Sequence, residues 1–76
     1  MEELMTLLSE IRPDIQFRGD KKLVDDGLLD SFDIVSIVGE IGERFQVDVP
    51  VEEINGGNFN SPEAMLRMIE RLKAAR

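Results

Sequence analysis

The sequence contains neither cysteine nor histidine. Without cysteine there is no disulfide framework and no thiolate site for zinc or redox chemistry, so a modest core must hold together unstapled. Without histidine, both the usual general base near neutral pH and the usual nitrogen ligand for metals are missing. Mainly carboxylates remain for acid–base work, and an independent enzyme is not expected. No apolar run approaches the ~20 residues of a membrane span. The first residues, Met1-Glu2-Glu3-Leu4, place acid where a secretory signal needs base, and no cleavage pattern follows. A cytoplasmic protein without membrane insertion is expected.

Positive charge is also scarce. Nine Lys and Arg stand against sixteen Asp and Glu, a net charge of −7, which opposes binding to nucleic acid or to an anionic membrane surface and favours basic partners. The imbalance is greatest in residues 30–54, while residues 55–76 are net basic. Solubility is the simpler explanation of such charge, so it does not define a partner by itself. The length of 76 residues, with 42% hydrophobic and 33% charged, fits a single domain over 1–76 that buries only ~60% of the surface of its unfolded chain.

Helical periodicity dominates. Leu4, Leu7, Leu8 and Ile11 follow the i, i+3, i+4, i+7 template, and Pro13 ends that helix near Arg12. Residues 12–29 form a long connection with turn signals at Pro13-Asp14, Gly19-Asp20 and Asp26-Gly27. Phe17, Leu23, Val24, Leu28 and Leu29 are spaced along it as apolar anchors, which suggests a loop pinned across a helix bundle. A second helix follows Asp30-Ser31-Phe32-Asp33, with Ile34, Ile37, Val38, Ile41 and Phe45 as its core stripe. Its β-branched residues and Gly39 and Gly42 give weak propensity, so tertiary packing must stabilise it. Val47, Val49 and Val51 alternate, but Pro50 argues for an extended connection and not a strand. Residues 51–59 suit a short helix or turn. The last helix opens at Ser61 as N-cap and Pro62 at the first position, then presents Ala64, Met65, Met68, Ile69 and Leu72. The fold class is therefore all-α: a small antiparallel bundle of three to four helices.

The informative segment is Gly27-Leu28-Leu29-Asp30-Ser31-Phe32-Asp33. A hydroxyl at a helix N-terminus sits beside unsatisfied backbone N–H groups and the positive end of the helix dipole, which suits a covalently attached phosphate. Ser31 lacks a neighbouring base and would be modified by another enzyme. The competing explanation is that Asp30 or Ser31 is only an N-cap.

Together these segments resemble the acyl carrier proteins and the related peptidyl and D-alanyl carriers. Gly27-Leu28-Leu29-Asp30-Ser31-Phe32 matches the Gly-x-x-Asp-Ser-(Leu/Met/Phe) attachment motif, and the likeness extends through the long loop to the last helix at Asn60-Ser61-Pro62-Glu63. The resemblance implies an acyl-carrier bundle in which Ser31 receives 4′-phosphopantetheine from coenzyme A. A separate magnesium-dependent phosphopantetheinyl transferase would attach it, and no metal site is expected in the chain. The cofactor thiol would carry an acyl or aminoacyl group as a thioester between a loading ligase and a downstream transferase or synthase. A monomer is expected.

The family recognises partners through its second helix. Asp30, Phe32, Asp33, Val35, Gly39, Glu40 and Glu43 are the recognition candidates, with the acids steering basic grooves toward Ser31. Ile34, Val38, Ile54 and Met65 are candidates for sheltering an apolar cargo. Ser36 and Gly42 interrupt the acidic surface of the fatty-acid-synthesis pattern, and Gly39 stands where that subgroup places bulk. Residues 52–63 look more like D-alanyl or amino-acid carriers. The rival from another class is a small acidic helical interaction module without a prosthetic group. Calcium-loop, nucleotide-loop and nucleophile-elbow patterns all fail here.

Overall fold

In α1 (Glu2–Ile11), two acidic residues occupy the first turn, where the helix dipole favours them. Its stripe of Leu4, Leu7 and Leu8 is fully buried. Pro13 excludes the helical region for the residue before it, and Arg12 accordingly leaves the helix at φ −133°, ψ 82°. The computed structural model describes residues 1–19 and 21–75. The turn expected at Gly19-Asp20 therefore falls partly outside the described residues.

The long connection has structure of its own. Phe17, Leu23 and Leu29 enter the core, with Ile15, Val24 and Leu28 packed against it. The Leu23 carbonyl accepts from the amides of both Leu28 and Leu29, and Gly27 closes this turn at φ 76°, a left-handed conformation that favours glycine. The turn is tied to the far end of the chain by Asn60. The Asn60 backbone carbonyl accepts from Leu23 N (2.8 Å), and its side-chain oxygen accepts from Val24 N and Asp25 N, both at 3.0 Å.

In α2 (Ser31–Phe45), Ile37 and Ile41 face the core, with Ile34, Val38 and Phe45 flanking them. Gln46 ends the helix in the left-handed region at φ 59°. The valines that follow form no strand among the described residues: Val47 is buried, Val49 half-buried and Val51 exposed. A one-turn 3-10 helix (Val51–Glu53) then leads into α3 (Gly56–Phe59), which Asn55 caps. Phe59 sits at the centre of the core with no exposed surface. In α4 (Pro62–Ala75), Ser61 Oγ accepts from Ala64 N at 3.0 Å, so the expected cap is present. Met65, Met68 and Ile69 complete a core shared by α1, α2 and α4. The all-helical bundle anticipated from periodicity is the observed fold. Among the described residues, no helix is long and apolar enough to cross a membrane.

Candidate functional site

The start of α2 is organised by a reciprocal pair of aspartates. Asp30 Oδ1 accepts from the backbone N–H of Asp33 (2.9 Å), and Asp33 Oδ2 accepts from the backbone N–H of Asp30 (3.2 Å). Two orphan amide donors are thereby satisfied as in a capping box, with Asp taking the places usually held by Ser/Thr and Glu/Gln. The cap is thus Asp30, and Ser31 is the first residue of the helix. Its side chain is exposed, and its hydroxyl makes no hydrogen bond with any described residue.

This division of labour matters chemically. A capping hydroxyl would be committed to an amide of its own helix, whereas Ser31 Oγ is free to react and points from the positive end of a four-turn helix. A phosphodiester there gains from the helix dipole, and Ser31 is exposed to receive it. The residues present therefore fit a covalently attached phosphopantetheine. No described side chain hydrogen-bonds the Ser31 hydroxyl as an activating base would.

The Asp30 carboxyl is held below its ordinary 3.8, chiefly because it accepts from the Asp33 amide. A carboxylate depressed in the folded state contributes stability above its unfolded pKa and loses it as pH falls through the folded one. Asp30→Asn retains a good capping side chain but does not titrate. The parent's advantage over Asp30→Asn at neutral pH is expected to shrink as pH drops below about 3.8 and to vanish in stronger acid. Thermal melts of both proteins across that range check this, and a gap that stays constant with pH contradicts it.

Asp33 is placed differently from the acidic surface expected of it. It is only 6% exposed, and Arg12 Nη1 bonds its Oδ2 at 2.5 Å. The reason is its helical position: the third residue of α2 turns back under the helix start, toward the end of α1. Its charge is neutralised locally and does not face solvent. Glu40 is also engaged, accepting from Arg44 Nε at 3.0 Å across one helical turn. Of the acids on this helix, Glu43 is exposed and makes no ion pair among the described residues.

The apolar candidates do face outward. Phe32 is 78% and Val35 68% exposed, both beside Ser31, so Phe32 is not a second layer of the core. Gly39 lies further along the same helix, with open space where a Cβ would stand. A cleft of about 570 Å³ runs from Val38, Gly39 and Gly42 to the segment Gln46–Val49. Of the residues proposed to shelter cargo, Val38 borders this cleft. Met65 is instead fully buried in the core, and Ile54 is 36% exposed beside the exposed Val51. Arg12 and Asn60 are the site-supporting residues that sequence patterns did not single out.

Comparison with known proteins gives a consistent result. The chain is 35% identical over 74 residues to a D-alanyl carrier protein of Listeria monocytogenes serotype 4a, covering 95% of each chain. It is 30% identical over 74 residues, again 95% of each, to the D-alanyl carrier protein of Bacillus subtilis. With that of Lactobacillus helveticus it shares 32% over 60 residues, 79% of this chain and 76% of the relative. No family model matches the chain. A helical bundle that exposes an uncommitted serine at a helix start, in a chain this similar to carriers along almost its whole length, is a carrier protein. The chain belongs to the acyl carrier protein family.

Proposed function

We propose that the protein carries D-alanine, or a similarly small aminoacyl group, as a thioester on a 4′-phosphopantetheine attached to Ser31. The observation that carries this reading is the exposed Ser31 hydroxyl, released from capping by Asp30 at the start of α2. When bound, the prosthetic group supplies the thiol that holds the cargo. The chain's own residues supply position: the Asp30 cap fixes the helix start, and the dipole of α2 favours the phosphodiester. Phe32 and Val35 offer an apolar docking face to a phosphopantetheinyl transferase, an aminoacyl-loading ligase and a downstream acceptor enzyme in turn.

D-alanine as cargo is supported by the names of the relatives and by the open surface at Gly39. The test is loading of the phosphopantetheinylated protein by a D-alanine-activating ligase and ATP, scored as a hydroxylamine-labile adduct. D-alanine is expected to load many-fold faster than L-alanine or a medium-chain fatty acid with its own ligase. Preferential fatty acylation contradicts the proposed cargo.

Electrostatic steering gives a further expectation. Glu43 is the acid of α2 left exposed and unpaired, so Glu43→Lys should slow modification several-fold at low ionic strength. The difference should fade once the Debye length falls below about 8 Å, near physiological salt and above. Rates that are equal in dilute buffer, followed by intact mass, contradict steering through this residue.

A further inference from the structure

The Arg12 guanidinium joins three parts of the molecule that are separate in sequence. Its Nε and Nη2 donate to the two oxygens of Asp14 at 3.0 and 2.8 Å, while Nη1 reaches the Leu28 carbonyl at 3.3 Å and Asp33 Oδ2. Its backbone is fixed as well, donating to the Leu8 carbonyl at 2.9 Å and accepting from Ile15 N at 3.2 Å. Leu28 lies three residues before Ser31, and Asp33 lies two after it. The same Asp33 oxygen also receives the Asp30 amide, so Arg12 sets the position of the group that closes the helix start.

We propose that Arg12 is a positioning residue for the modification of Ser31, acting through Leu28 and Asp33 to hold the serine-bearing turn in one geometry. The inference rests on the carrier reading given above. Asp33 is the buried charged side chain of the described core, and its neighbours on α2 supply only amide donors. Without the guanidinium, a buried carboxylate is left uncompensated and must turn out to water. The reciprocal bond to Asp30 N is then lost, and the first turn of α2 loosens around Ser31. The side chains of Leu4, Leu7, Phe59 and Met65 in the core form no bond of this network, so the bundle is expected to persist when the network is broken. A planar guanidinium with several fixed donors can serve Asp14, Leu28 and Asp33 together, whereas a lysine ammonium cannot.

The experiment compares the parent, Arg12→Met, Arg12→Lys and Arg71→Met as substrates of a phosphopantetheinyl transferase with coenzyme A and magnesium. Arg71→Met removes a different arginine ion pair, that with Glu53 at 2.9 Å, and serves as the control for simple loss of an ion pair. Misplacing a reacting group by about 1 Å can cost up to ~100-fold in rate, so Arg12→Met is expected to lower kcat by about tenfold. Its KM for the carrier should stay within about twofold, because Phe32 and Val35 still dock. Arg12→Lys should recover part of the loss, and Arg71→Met should match the parent. Amide hydrogen exchange at Asp30, Asp33 and Ile34, whose N–H groups bond within the helix start, should accelerate in Arg12→Met while exchange in α4 does not. Parental kcat in Arg12→Met, an equal loss in Arg71→Met, or unchanged exchange at the helix start overturns the proposal. A parent that is never modified overturns the carrier reading and the kinetic role with it, and the exchange data then decide separately whether Arg12 holds the turn.

Discussion

Replacing Ser31 with alanine is expected to abolish every cargo-bearing form of the protein while leaving its fold essentially unchanged. The two effects separate because Ser31 is the first residue inside α2 and Asp30 performs the capping. The substitution removes no hydrogen bond among the described residues, and alanine is a somewhat better helix former than serine, so stability should move by no more than about 0.5 kcal/mol. Capping serines behave otherwise, since their loss costs about 1 kcal/mol. Circular dichroism and a thermal melt should superimpose on the parent while phosphopantetheine incorporation falls to zero. A large loss of stability would mean that the hydroxyl has a structural role. Incorporation that persists would place the attachment elsewhere.

The opposite dissociation is expected at Phe59. This side chain is fully buried where α3 meets the core, and Phe→Ala in such a position costs about 3–5 kcal/mol through lost burial and the cavity left behind. Against the 5–15 kcal/mol typical of a whole domain, and with no disulfide to compensate, that loss is severe. The unfolding midpoint should drop by roughly 12–40 °C. Phe32→Ala provides the contrast: its ring is 78% exposed, so stability should change by less than about 0.5 kcal/mol while modification slows. Denaturant unfolding of the two variants side by side checks the pair. Similar losses at both positions would contradict the division between core and docking face.

Helical period and turn chemistry made the bundle legible from sequence. The stripes of Leu4, Leu7, Leu8 and of Met65, Met68, Ile69 repeat at helical spacing and are buried as expected. Pro13 and the Ser61-Pro62 pair mark helix ends by local sterics and capping, which operate within a few residues. Ser31 stood out because an attachment motif is local too. Asp33 did not fit the surface expected of it, because its burial depends on Arg12, a residue 21 positions away. Nothing in the spacing around Asp33 announces that partner. Asn60 shows the same gap: its bonds to Val24 and Asp25 cross more than thirty residues and follow from how the loop packs, not from any period. Met65, read as part of a cargo shelter, belongs to the core because α4 packs that face inward against α1 and α2.

The account turns on a single covalent bond at Ser31, and intact-mass spectrometry addresses it most directly. Unmodified protein is incubated with coenzyme A, magnesium and a broad-specificity phosphopantetheinyl transferase, and the product is fragmented to locate the added group. One phosphopantetheine increment, carried by Ser31 and absent from Ser31→Ala, is the predicted result. A folded parent that gains no mass with several such transferases would contradict the account and leave the protein as an acidic helical interaction module.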